Sequence, residues 1–485
     1  VSGGKITVGD SGQVVGGQVN ISGGEVALGG SSTKAAILRS YGADNALTLT
    51  GDGKISVADA KHGVLTANAV NINGGTLDVK GNLTLAGALT KKQSLANALK
   101  ASGDATVNQT GGTVAVAAGG ALNIKRGVEY NLSGGTLSSA GTLHVEGELN
   151  LNGNVALTDL TAGTGKVYLG YDPDGDGAGQ NGYAKIRLGT AENVTLATST
   201  LGDKSDGKSI TVDANGSLQV QNLTLTGDSL SINKEGRIKV NSLTLTPGAA
   251  QDFTLSSGQL MLKGEDGSST LSVGGTGVLK LDGSTKKAEL KLGELNSDGT
   301  VNSGGSLNAD ITATGSNAKV TVNGGAWTLA EGKTLDIQGG ALTVGGGTDI
   351  DYAGNLPAEL DVSKGTLKST SAGDGSTAGI NVLQNGVLSA ASAKLMKNST
   401  TIADNLNKIW LDNGGTLRVT GLNTISTVDM QTYKTALVAG GTGLINYGTA
   451  TVTVSNADKG STENSIKGTA AEATGALLDG KTVEY

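Results

Sequence analysis

Asn71 to Gly87 reads NINGGTLDVKGNLTLAG. It holds three short apolar pieces: Ile72, then Leu77-Asp78-Val79, then Leu83-Thr84-Leu85, with glycine between each and the next. Alternation of apolar and polar residues within a piece is the period-2 signal of a strand with one buried face. The pieces are far shorter than an ordinary strand, and glycine interrupts them at near-regular intervals. That pattern belongs to a chain that coils on itself and turns a corner every few residues.

Working outward, the same core recurs as [Val/Leu/Ile]-x-[Ile/Val/Leu]-x-Gly-Gly-x-[Val/Leu]-x-[Val/Leu]. Instances are VNISGGEVAL (19–28), VNINGGTLDV (70–79), VTVNGGAWTL (320–329) and LDIQGGALTV (335–344); YNLSGGTLSS (130–139) fits apart from its end. Gly-Gly at 324–325 recurs at 339–340, a step of 15, and elsewhere the steps are longer and uneven. A solenoid coil takes about 20 to 25 residues. The chain is therefore expected to make roughly 20 rungs, a rod on the order of 100 Å at the ~4.8 Å strand spacing. Leu77, Val79, Leu83, Leu85, Leu335, Ile337, Leu342 and Val344 are expected to point inward. Glycine supplies positive φ at corners, and Thr, Ser, Asn, Lys and Asp take the outer positions. Each rung finds its backbone partners above and below, so stability should be a nearest-neighbour sum.

Composition agrees. Of 485 residues 80 are glycine and 3 are proline; hydrophobic residues make 37% but aromatics only 2%. A single globular core of this size would use more large side chains, whereas a narrow stack of Val, Leu, Ile and Ala does not need them. There are no cysteines, which excludes a disulfide scaffold and a thiolate metal site. The net charge is -7 and there is no basic tract, so nucleic-acid binding has little electrostatic support. No apolar run approaches the roughly 20 residues of a membrane span. The chain opens inside a repeat, VSGGKITV, with neither initiator Met nor signal peptide. The expectation is a mature chain or a fragment whose targeting segment is gone.

The fold class read from these features is all-β, a parallel β-helix (β-solenoid) with short helical or loop excursions. Residues 1–456 form the solenoid, and 457–485, where Gly-Gly is absent, form a cap, a linker or the lead into a further segment. Excursions are expected near 91–101, where KKQSLANALKA spaces Leu95, Ala98 and Leu99 as one helical face, near 171–183, and over 390–410. In the last, Leu395, Met396, Ile402, Leu406 and Ile409 stand at helical spacing.

Candidate chemistry is sparse. Tyr171 to Tyr183 reads YDPDGDGAGQNGY, with Asp172, Asp174 and Asp176 at loop positions 1, 3 and 5, Gly177 at position 6 and Gln180 at position 9. Alternate carboxylates before a turn-permitting glycine can converge their oxygens on calcium, as in EF-hand, dockerin and thrombospondin type 3 loops. Tyr183 stands where a bidentate Glu is expected, and the alternative is a polar excursion rich in turn residues. GDKSDGKS (202–209) and GALLDGKT (475–482) match the phosphate-loop pattern, but strand-like residues follow where a helix is required, so both are read as corner turns. GGGTDIDYAG (345–354) resembles a calcium-binding nonapeptide of a kind that works only in tandem, and here there is one copy. The two histidines, His62 and His144, lie far apart in sequence. Trp327 and Trp410 occupy apolar positions suited to packing. The sequons at Asn82, Asn108, Asn193 and Asn222 are what composition alone supplies.

NISGG, NINGG and NLSGG followed by Leu/Val triplets resemble the β-helical passenger domains of bacterial autotransporters and related filamentous-haemagglutinin-type adhesins. The resemblance covers nearly the whole chain as a texture of repeats, with no diagnostic motif. It implies a right-handed parallel β-helix, export across two membranes, and display on the bacterial cell surface or release outside it. It further implies adhesion, self-association or biofilm formation, with neighbouring or host cell-surface molecules as partners. The family has no shared catalytic residues, and an enzyme is not expected. No outer-membrane barrel, with its alternating aromatic-girdled strands, is visible before Tyr485. The rival functions are a self-polymerising extracellular fibre subunit and a polysaccharide-active β-helix enzyme.

Overall fold

The structure is a computed structural model. It describes residues 1–41, 46–87, 104–152, 165–170, 184–188, 193–203, 206, 208–214, 216–233, 235–248, 252–293, 302–346, 357–391, 409–412, 414–420, 437–439, 442–447, 450–456, 464–468 and 483–484. It is a parallel β-solenoid. Its contacts divide it into two compact units, Val1–Gln221 with Glu235–Ile238, and Asn222–Lys234 with Lys239–Tyr485.

In the first unit strands stack in parallel on three ladders. One ladder stacks Lys5–Val8, Glu25–Leu28, Lys54–Val57 and Thr76–Val79, and then the second halves of Ala105–Val116 and Val128–Ser139. A second runs Gln18–Ile21, Ala46–Leu49, Ala69–Ile72, the first halves of those two long strands, Glu148–Leu151 and Ala184–Leu188. The third contains Gln13–Gly16, Ala36–Ser40, His62–Thr66, Asn82–Ala86, Ala121–Ile124, Thr142–Val145 and Lys166–Leu169. The opening stretch thus supplies one strand to each ladder in turn.

The register puts like on like. Leu77 lies between Ile55 and Val114, and Val79 between Val57 and Val116. Leu77, Val79, Leu83 and Leu85 are all buried, as the alternation predicts. Each Leu or Val so placed gains about 1.5–3 kcal/mol from burial.

The Gly-Gly pairs are the corner between the second ladder and the first. Gly75, Gly112 and Gly135 stand one above another at this corner with φ of 71°, 68° and 77°. A Cβ on Gly135 would lie 2.5 Å from the backbone of Gly111, so both the left-handed backbone and the close stacking require glycine there.

The second unit repeats the plan. Its ladders are Gly258–Leu262, Ala288–Leu292, Ala318–Val322, Ala341–Val344 and Gly379–Val382; Phe253–Leu255, Val278–Asp282, Asp310–Thr314, Thr334–Gln338 and Thr366–Ser369; and Ser269–Val273, Gly304–Asn308, Gly325–Leu329, Ala358–Asp361 and Gly386–Ala391. Leu335, Ile337, Leu342 and Val344 are buried. Here the step of 15 between Gly-Gly pairs is explained. Gly324-Gly325 leads into Gly325–Leu329 and Gly339-Gly340 into Ala341–Val344, strands of different ladders. The two pairs mark two corners of one circuit, and the coil repeat is the 22 residues from Val320 to Leu342.

Two expectations need revision. Ile409, read with a helical face, belongs to the strand Ile409–Leu411, which pairs with Gly379–Val382. Ile409 and Leu411 are buried while Trp410 is half-exposed between them, so the local alternation of period 2 prevails. The parallel pattern also stops before residue 456. Thr442–Tyr447 pairs antiparallel with Ala450–Asn456, which pairs antiparallel with Asn464–Gly468, and that with Val483–Glu484. The excursions expected at 91–101 and 171–183, and residues 392–408 of the third, lie outside the described residues.

Candidate functional surface

The outer positions of the strands carry the polar chemistry, and the coil spacing brings them into rows. In the first unit Asn71, Asn108, Asn131 and Asn150 are successive partners on one ladder. Each carboxamide donates to the one before: Asn108 Nδ2 to Asn71 Oδ1 at 3.3 Å, Asn131 Nδ2 to Asn108 Oδ1 at 3.4 Å, and Asn150 Nδ2 to Asn131 Oδ1 at 2.8 Å. Asn150 Nδ2 also donates to Glu129 Oε1 at 3.0 Å. The row passes into charge at Glu148, whose carboxylate takes Lys185 Nζ at 3.0 Å and Arg187 Nη1 at 3.1 Å. On the third ladder Asn123, the partner of Thr84, donates its Nδ2 diagonally to Asn82 Oδ1.

Several ion pairs also join one coil to another. Lys5 reaches Glu25, Lys54 reaches Asp78 and Lys280 reaches Asp252. Glu25 also accepts from Ser56 Oγ at 2.6 Å, and that bond, with Lys5, holds its carboxyl below the ordinary value. In the second unit Glu289 is buried on an outer position, receiving Lys287 Nζ at 2.7 Å, Gln259 Nε2 at 2.7 Å and Thr321 Oγ1 at 2.9 Å. Burial pushes this carboxyl up; the Lys287 charge and the bonds from Lys287 and Thr321 outweigh it, leaving the group below its usual range. Arg418 and Ser389 both hold Glu359.

One polar pair lies inside the first unit. Tyr130 points inward between Val107 and Leu149, and Gln109 between Ile72 and Leu132. Tyr130 Oη donates to Gln109 Oε1 at 2.6 Å, and Gln109 Nε2 donates to the Thr136 carbonyl at 2.9 Å. Burial raises the Tyr130 phenol far above its ordinary value.

The aromatic residues serve packing. Trp327 is fully buried and its Nε1 donates to the Gly324 carbonyl at 2.9 Å. Trp410 packs on the backbone of Gly373 and Gly375. His144 and Tyr168 are partners on the third ladder of the first unit, their rings stacked at 5.2 Å and 14°. Each ring therefore spends a face on the next coil. His62 lies elsewhere on that ladder, paired with Asn82, and burial lowers its pKa.

Of the residues singled out for calcium, Asp172, Asp174, Asp176 and Gln180 lie outside the described residues. Among the described residues no group of three or more His, Asp or Glu is placed to hold a metal. The segment 202–209 is flanked by strands Leu201–Gly202 and Ile210–Val212, paired in parallel with each other. The helix that a phosphate loop needs is replaced there by a strand. Segment 475–482 lies outside the described residues, as do residues 347–354 of the nonapeptide match.

The asparagine row escaped the sequence reading although its signal was present. VNING, VNQTGG and YNLSGG each carry Asn at one offset before glycine, in Asn71, Asn108 and Asn131.

Comparisons with protein-family models, with curated proteins and with solved structures find no match.

Proposed function

We propose that this chain is an extracellular structural and adhesive protein of the bacterial cell surface, a solenoid passenger that mediates adhesion, self-association or biofilm formation. The observation that supports the reading is the way its outer side chains are used. Asn71, Asn108, Asn131 and Asn150, and the ion pairs around Glu25, Glu148 and Glu359, bond along the stack, coil to coil. Within each unit they build a regular polar surface on which many weak contacts can add. A hydrolytic site instead needs an acid and a base converging on one cleft.

The experiment is display on a bacterium that does not aggregate. Cells carrying the chain should settle together or retain on a host-cell layer, and added purified chain should compete. Cells that do neither would refute the adhesive reading. End-to-end filaments of the purified chain would replace it with the fibre subunit. Turnover of a polysaccharide, lost on one acidic substitution, would replace it with an enzyme.

A further inference from the structure

The sequence has no basic tract, yet the coil assembles one. Lys34, Lys61 and Lys80 are 27 and 19 residues apart in the chain. The third ladder of the first unit sets Ala36 against Gly63, and His62 against Asn82. Lys34 and Lys61 both stand two residues before partnered positions, and Lys80 stands one residue out of register with Lys61, so the three come to one corner on three successive coils. The backbone confirms the placement: Asn82 N donates to the Lys61 carbonyl at 2.8 Å, and His62 N to Gly30, in the turn that leads to Lys34. All three side chains are exposed and, among the described residues, make no ion pair, in contrast to Lys5, Lys54 and Lys185. Two acids share the corner. Asp59 is exposed beside Lys61, and Asp10, one coil before Lys34, accepts the Ser31 amide at 2.8 Å. The following coils place Ala117 and Ala140 there, which bounds the row at three.

We propose that Lys34, Lys61 and Lys80 form a docking ridge for a linear anionic polysaccharide. The chemistry is charge complementarity at a repeat distance. Successive coils recur at about 4.8 Å, and an extended sugar residue covers a similar length. One sulfate or carboxylate per sugar therefore meets one lysine per coil. Duplex DNA packs about one charge per 1.7 Å of its axis, and among the described residues this corner offers a single short basic row with one imidazole, His62, beside it. The ridge adds a ligand class to the adhesive reading without depending on it, because binding is measured on the isolated chain.

The test uses the full chain on immobilised heparin, with polygalacturonate and duplex DNA as competitors. Wild type should be retained and released by salt, and polygalacturonate should compete better than DNA at equal charge. The Lys34→Gln/Lys61→Gln/Lys80→Gln variant should bind about tenfold more weakly, with a log–log salt slope shallower by about 2–3. The Lys34→Arg/Lys61→Arg/Lys80→Arg variant should bind as wild type. So should Lys319→Gln/Lys364→Gln/Lys368→Gln, which removes the same charge from the other unit. No retention of wild type, equal loss in both glutamine variants, or stronger competition by DNA overturns the proposal. Cell–cell association of the ridge variant is read separately, so loss of this ligand and loss of adhesion are distinguishable.

Discussion

Replacing Tyr130 by Phe removes one oxygen from the interior and should cost more than that atom suggests. Tyr130 and Gln109 are both fully buried, and the Tyr hydroxyl is the donor to Gln109 Oε1. Without it a buried carboxamide oxygen keeps no donor, and such an orphan costs about 1–3 kcal/mol. Because each coil touches only its neighbours, the loss should stay near strands Ala105–Val116 and Val128–Ser139. A single unfolding free energy is poorly defined for a long repeat array, so native-state hydrogen exchange is the proper assay. Amides of those two strands should exchange about 5- to 150-fold faster, while those of Lys5–Val8 and Ala318–Val322 should not change. Adding Gln109→Leu removes the orphan, so the double variant should be no worse than Tyr130→Phe and better than the sum of the two singles. Unchanged exchange in Tyr130→Phe, or strict additivity in the double variant, would refute the reasoning. The same pair sets an alkaline limit. The phenol's folded pKa is raised, so its contribution is intact below the unfolded value of about 10 and declines as pH rises beyond it. Tyr130→Phe should lack that decline.

Three further outcomes are expected. Gly135→Ala puts a Cβ 2.5 Å from Gly111 at a φ of 77° and should destabilise its corner by at least about 1–2 kcal/mol, read as faster exchange at Thr136 and Leu137; an unaffected corner would show that the backbone relaxes there. Glu289 has a lowered folded pKa, so the stability it contributes is present above about pH 4.5 and lost as pH falls through the folded value. Glu289→Gln should flatten that acid dependence at Ala288–Leu292, and a profile as steep as wild type would exclude the carboxylate as its source. If calcium is held by Asp172, Asp174, Asp176 and Gln180, chelator should speed proteolysis within 171–183. Asp174→Ala should match the chelated wild type, and cleavage rates indifferent to chelator would remove the cation from the account.

Much of the fold was legible because one signal was repeated many times. The alternation in Leu77-Asp78-Val79 and Leu335-Asp336-Ile337 fixes which side is buried, and register follows once Leu must lie on Leu. Glycine at the corners was legible for the same steric reason. The circuit was harder. Gly-Gly marks a left-handed corner without saying which, so 324–325 and 339–340 looked like one position a coil apart and are two positions in one coil. Ile409 was misread because a few apolar residues satisfy either period over so short a span. The surface was least legible. Lys34, Lys61 and Lys80 share no local motif, and only the lengths of the intervening coils bring them together. Tyr130 and Gln109 stood at apolar positions of the pattern, where a polar pair shows only when both partners are placed.

The asparagine row shows how little the coils feel the chain between them. Asn71 and Asn108 are 37 residues apart and Asn108 and Asn131 are 23 apart, yet their bonds measure 3.3 and 3.4 Å. Closing the longer path costs only a fraction of a kcal/mol more, since loop entropy grows with the logarithm of length, about 0.6 kcal/mol per doubling. Position in this molecule is thus addressed by ladder and coil, and sequence distance is free to vary. A corner such as that between Leu329 and Thr334 could accept a foreign peptide of tens of residues while the flanking strands kept their partners. The scaffold is in this sense a rack, whose shelves stay level whatever is hung from their ends.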